Sequence, residues 1–135
     1  MDGDAQARLF VALWPGPAVR HALRERRDLW QWPRGATPVR TERLHVTLHF
    51  LGSVSVARIP ELRAALDVPF EPFLLEFGEP KLWPHGIAVL EPAAIPPELM
   101  LLHARLGAAL ESLGMQLEAR AYKPHVTLAR RAMKA

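Results

Sequence analysis

The chain has 135 residues, half of them hydrophobic and 23% charged, with a formal charge of +3 and no cysteine. That length sets one domain, able to bury roughly two-thirds of its unfolded surface, and the missing cysteines exclude disulfides, thiolate metal sites and a thiol nucleophile. The acidic start at residues 1–4 leads to no signal-peptide core, and no apolar run approaches the ~18 residues of a membrane helix, so a cytoplasmic, non-membrane protein is expected. The small positive charge suits an anionic partner without requiring one.

In chain order, Ala7 to Leu13 reads as a buried strand stopped by Trp14-Pro15-Gly16. A helix is expected from Pro17 to about Trp30, with proline at a favoured first-turn position and Val19, Ala22, Leu23, Leu29 and Trp30 on one side. Pro33 to Pro38 reads as a loop. Leu44 to Leu51 is a strand closed by Gly52. A short helix fits Val56 to Leu66, where Val56, Ile59, Leu62 and Leu66 recur at helical spacing. Phe73 to Phe77 and Ile87 to Leu90 read as strands joined through a Pro/Gly-rich stretch carrying Trp83 and His85. Pro97 to Leu113 is an amphipathic helix ended by Gly114, and His125 to Arg130 is the last strand.

Two of these strands open with the same four residues, His45-Val46-Thr47-Leu48 and His125-Val126-Thr127-Leu128, 80 positions apart. Pro17 and Pro97, each opening a helix, stand 28 residues before their histidines. The chain therefore reads as a single domain, 1–135, with an internal pseudo-two-fold repeat over about 7–52 and 87–131. Strand side chains alternate, so each motif sets His and Thr on one face and Val and Leu on the other. Two such strands facing one another would supply two imidazoles and two hydroxyls. In-line displacement at phosphorus needs a base near the nucleophile and an acid near the leaving oxygen, and histidine serves either role near neutral pH. Hydroxyls and Arg130 would meet charge on the non-bridging oxygens.

The segments Arg8-Leu9-Phe10-Val11-Ala12-Leu13-Trp14-Pro15, Leu44 to Gly52 and Pro124 to Arg130 resemble those of the two-histidine (2H) phosphoesterases, most closely the RNA 2′,3′-cyclic phosphodiesterases, or 2′-5′ RNA ligase-like proteins. The resemblance implies a bilobed α+β fold, with two antiparallel sheets lining a central cleft and helices outside. It implies hydrolysis of RNA 2′,3′-cyclic phosphate ends to 2′-phosphates, with 2′-5′ ligation in some members. By position, His45 corresponds to the proton donor and His125 to the proton acceptor. Thr47, Thr127 and Arg130 correspond to phosphate-binding groups. No cofactor or metal is implied. The partner the resemblance implies is an RNA bearing a cyclic phosphate end, or a small cyclic nucleotide. Family members usually run well beyond the second motif, so the C-terminal strands are expected to be shortened. An uncovered sheet edge then offers a route to a strand-exchanged dimer instead of a monomer.

Each residue also has a plainer reading. A single strand histidine is ordinarily structural; its repetition inside one motif reverses that for His45 and His125. His49 shares the strand face of His45 and is a possible cleft contact, although Ala129 occupies the matching position in the repeat. Arg43 and Arg40 stand where they could meet an RNA backbone, whereas Arg24, Arg26 and Arg27 read as a solvated helix face. Trp14, Trp30 and Trp32 read as core, and Trp83 as a possible base-stacking platform. His21, His85 and His103 read as surface groups. A three-histidine metal site is disfavoured, since His45 and His49 on one strand stand roughly 13 Å apart. A non-catalytic RNA-end binding module, its active site incomplete through C-terminal shortening, is the alternative to an enzyme.

Overall fold

The computed structural model describes residues 5–133; the acidic start and Lys134-Ala135 lie outside them. Among the described residues six strands and three α-helices follow one another as β1 (Gln6–Leu13), α1 (Pro17–Asp28), β2 (Thr37–Pro38), β3 (Val46–Ser55), α2 (Ile59–Ala65), β4 (Phe77–Trp83), β5 (Ile87–Pro92), α3 (Pro97–Ser112) and β6 (Val126–Arg130). The described Cα framework divides into two compact units, 5–11, Leu48–Leu75 and Ile95–Tyr122 in one, Ala12–Thr47, Glu76–Ala94 and 123–133 in the other. Each unit draws on both halves of the sequence.

In the first unit β1 lies beside β3, and α2 and α3 supply the apolar cover. α3 starts with Pro97 at its first turn and buries Leu99, Leu102, Leu106 and Leu110, a spacing that forms one apolar stripe. It ends in a Schellman motif: Gly114 has φ +82°, its N–H donates to the Glu111 carbonyl, and the Met115 N–H donates to the Leu110 carbonyl. Leu110, fully buried, packs with Val54 of β3 and Leu62 of α2.

In the second unit the hydrogen-bonded order is β3-β6-β5-β4, and β2 also pairs with β6. The pairings of β2 and β3 with β6, of β5 with β6 and of β4 with β5 are all antiparallel. Ala88, Ala129 and Ala132 form a tight buried cluster; small side chains there let Trp30 and Trp32, stacked 4.8 Å apart, cover it. β3 contributes its first two residues to this unit and the remainder to the other.

Several expectations shift in detail. β3 runs through Gly52 instead of stopping there, because glycine tolerates the φ of +74° within the strand. The sequence from Pro33 to Pro38 hides a two-residue strand, Thr37–Pro38, which pairs with Arg130 and Ala129. Residues 73–76 are not strand; β4 is the Pro/Gly-rich stretch itself, where Pro80 is admissible because β4 pairs on one side only. On α1 only Leu23 is buried, while Val19 and Leu29 are exposed. Its arginines are not simply solvated. Arg26 donates to the Gly78 carbonyl at 2.7 Å, and Arg27 donates to the Val39 carbonyl at 2.7 Å and to Thr41 Oγ1 at 3.2 Å.

Candidate active site

The two repeated motifs meet in the second unit. β3 and β6 pair antiparallel with Val46 opposite Val126, a register that sets Thr47 opposite His125 and His45 opposite Thr127. Side chains directly opposite on one face stand about 5 Å apart at Cβ, so the pairing assembles both imidazoles and both hydroxyls into one quartet. Val46 and Val126 are buried beneath it, as are the preceding Leu44 and Pro124. The burial sequence from Leu44 to Phe50 repeats residue for residue from Pro124 to Arg130, with His and Thr partly exposed between buried neighbours.

Both histidines are held alike. His45 Nδ1 lies 2.5 Å from the Arg43 carbonyl, and His125 Nδ1 lies 2.8 Å from the Lys123 carbonyl. A carbonyl only accepts, so each Nδ1 carries the proton and each Nε2 is the nitrogen left for chemistry. His45 Nε2 is 3.0 Å from Thr47 Oγ1. Neutral His45 takes a hydrogen bond from that hydroxyl; protonated His45 donates one to it.

Their surroundings differ. Burial holds the His125 pKa below the ordinary 6.5, and the positive charge of His45 pushes the same way; the Lys123 carbonyl and the Glu91 carboxylate oppose them. His125 is thereby favoured in its neutral form at pH 7. The indole of Trp83 lies against it, ring centroids 4.3 Å apart and tilted 52°. Trp83 Nε1 donates to Glu91 Oε2 at 2.7 Å, and Glu91 Oε1 pairs with Lys81 at 3.0 Å. Trp14 packs on His45 in the same manner, at 4.7 Å.

Of these indoles, Trp83 is the one the sequence offers as a cleft contact, and Trp14 is the one it misses. Trp14 reads as core, yet it is 56% exposed, and Trp83 contacts an imidazole. Nothing local signals either contact: Trp14 is 31 positions from His45 and Trp83 is 42 from His125. Glu91 carries no signal of its own, because an acidic residue at a strand end looks like ordinary surface.

Arg130 returns to the open face through a β-bulge. Val89 pairs with Thr127 and Ala88 with Ala129, so Leu128 is an extra residue in β6. The bulge shifts the alternation by one, burying Leu128 and Ala129 in succession and leaving Arg130 exposed. Arg130, Arg43 and Arg40 line a pocket of about 410 Å³ together with Thr37, Pro38 and Val39.

His49 is not on that face. The same break in alternation buries it to 7% exposure in the first unit, where it stacks on His103 at 4.0 Å and its Nε2 donates to the His103 carbonyl at 2.8 Å. His103 stacks in turn on Tyr122 at 3.9 Å. His103, expected on a helix surface, is thus part of an aromatic column; burial and the neighbouring His49 lower its pKa to about 4. Among the described residues no group of three or more His, Cys, Asp or Glu side chains could hold a metal ion, and no helix is long and apolar enough to cross a membrane.

An α+β fold carrying paired His-x-Thr-x strands defines the two-histidine phosphoesterases. This chain belongs to that superfamily through the family described as LigT like Phosphoesterase, whose model matches residues 13–88. It is similar to the E. coli LigT structure complexed with 3′-AMP, with a TM-score of 0.84 and 28% identity, covering 95% of this chain and 75% of that one. TT0787 of Thermus thermophilus is similar at a TM-score of 0.81 and 29% identity, covering 96% and 76%. In sequence, an RNA 2′,3′-cyclic phosphodiesterase of Methanocaldococcus jannaschii is 26% identical over 125 residues, 91% of this chain and 70% of the relative.

Proposed function

We propose that this phosphoesterase opens the 2′,3′-cyclic phosphate at an RNA end to leave a 2′-phosphate, with no metal in the reaction. The register that opposes His45 to Thr127 and Thr47 to His125 carries the reading. His125 Nε2 takes a proton from the attacking water as its oxygen bonds to phosphorus. His45, protonated at Nε2, gives its proton to O3′ as the P–O3′ bond breaks. One water is consumed, and the 3′-hydroxyl is released while the phosphate stays on O2′. Thr47, Thr127 and Arg130 hydrogen-bond the non-bridging oxygens, where positioned donors act on developing charge. The lowered pKa of His125 supports its role as the base. The common i−2 carbonyl contacts support Nε2 as the working atom of both rings.

The duplication of 7–52 and 87–131 belongs to the same proposal, supported by the matching burial of the two motifs and by helices that both begin at a repeat-related proline. The curated relative named for cyclic phosphodiesterase activity favours hydrolysis over ligation as the first assay.

The test is hydrolysis of a short RNA ending in a 2′,3′-cyclic phosphate, with chelator present and the product identified. The 2′-phosphate should form with wild type and be lost in both His45→Ala and His125→Ala, each folded by thermal melting. Turnover that requires added metal, or that survives in either folded variant, would overturn the assignment. Binding of the cyclic end without turnover would instead identify a binding module.

A further inference from the structure

The pocket between β2 and the end of β6 has no task in the reaction as derived, apart from Arg130 at its border. Its walls carry Arg40, Arg43 and Arg130, all exposed, and among the described residues none of them is in an ion pair with a carboxylate. Glu42, between two of them, neutralises neither. Uncompensated like charges gathered in one concavity repel each other, and an anion relieves that repulsion.

The wall is also braced. Val39 and Thr41, on either side of Arg40, are both tied down by Arg27, whose guanidinium donates to the Val39 carbonyl and to Thr41 Oγ1. The Val39 N–H donates to the Leu128 carbonyl at 2.8 Å, and Thr37 pairs with Arg130. Such bracing lowers the ordering cost of binding. The pocket's place is equally specific. Arg130 follows Thr127 by three positions on β6, a span of roughly 10 Å at ~3.3 Å per residue. The Arg43 carbonyl is the one that accepts the His45 Nδ1 proton. An anion here therefore sits beside the quartet without occupying it.

We propose that this pocket is a second phosphate subsite: it binds the internucleotide phosphodiester adjoining the reacting end, so the preferred substrate is an RNA strand and not a free cyclic mononucleotide. The inference rests on the reaction proposed above and deepens it. A strand then engages the protein at two phosphates, one at the histidine quartet with Arg130 at its border and one held by Arg40 and Arg43. Guanidinium groups suit the second contact because they donate in a planar fork to phosphate oxygens and remain charged at every working pH.

The experiment compares three substrates at fixed ionic strength: adenosine 2′,3′-cyclic phosphate, a dinucleotide ending in the same cyclic phosphate, and that dinucleotide with a neutral methylphosphonate linkage. Wild type should turn over the charged dinucleotide with kcat/KM at least tenfold above the other two, the gain lying in KM. Arg40→Gln should erase most of that gain while leaving the mononucleotide within twofold. Equal kcat/KM for the charged and neutral linkages, or an undiminished preference in folded Arg40→Gln, would overturn the subsite. Binding of the matching 3′-phosphorylated dinucleotides, charged and methylphosphonate, supplies a readout independent of turnover. Tight binding of the charged one alone without hydrolysis of any substrate would retain the subsite and defeat the proposed reaction. Hydrolysis of all three substrates at equal efficiency would do the reverse.

Discussion

Replacing Thr47 by valine removes one hydroxyl and almost nothing else. Valine matches the shape and is a good strand former, and Thr47 is only partly buried, so losing the hydrogen bonding of this half-exposed hydroxyl should cost about 1 kcal/mol of stability. The catalytic effect should be larger. The hydroxyl touches His45 Nε2 at 3.0 Å and faces His125 across the strand pair, so on the proposed reaction it is the donor beside a non-bridging phosphate oxygen. Deleting a preorganised donor from a water-excluded site lowers kcat by about 10²–10³. On the proposed reaction Thr127 and Arg130 share the charge at a partly open site, which brings the expected loss to about 10–100-fold, or ~1.4–2.7 kcal/mol of barrier. Steady-state kinetics on a cyclic-phosphate end should show the loss in kcat with KM nearly constant, and Thr47→Ser should recover most of it. A folded Thr47→Val enzyme keeping more than half of wild-type kcat would refute the claim that the hydroxyl acts on the transition state.

The remaining expectations concern pH and packing. His125 must be neutral to act as a base and its pKa lies below 6.5, so the acidic limb of kcat/KM should fall below pH 6.5; a limb above that value would reassign the base. Glu91 raises the His125 pKa, so Glu91→Gln should move that limb to still lower pH, and an upward move would contradict the electrostatic reading. His103 is neutral in the fold down to about pH 4 but protonates near 6.5 when unfolded. The unfolded chain then binds more protons between those values, and urea midpoints should fall as pH drops from about 6.5 to about 4. The slope should be modest because the ring is partly exposed, and it should flatten in His103→Phe. Leu110 is fully buried between Val54 and Leu62, so Leu110→Ala should cost about 2–5 kcal/mol in chemical unfolding; a loss under ~1 kcal/mol would mean that this cluster is loosely packed.

Features that depend on local pattern are legible in the residues alone. The apolar stripe of α3 and its Gly114 stop follow from helical periodicity and from the left-handed backbone that glycine accepts. The paired motifs announce His45, Thr47, His125 and Thr127 because period-two alternation already puts His and Thr on one face of each strand. Strand alternation fails where the chain departs from a regular ladder. Extrapolating it places His49 beside His45, whereas the break after Leu48 turns His49 into the aromatic column with His103 and Tyr122. The bulge at Leu128, which no residue type signals, decides that Arg130 returns to the open face. Tertiary pairing alone sets Val46 against Val126, brings Trp14 and Trp83 onto the two imidazoles, and places Glu91 where its charge reaches His125. These are contacts between residues tens of positions apart. Their geometry is fixed by strand register and packing, and a one-dimensional pattern carries no record of either.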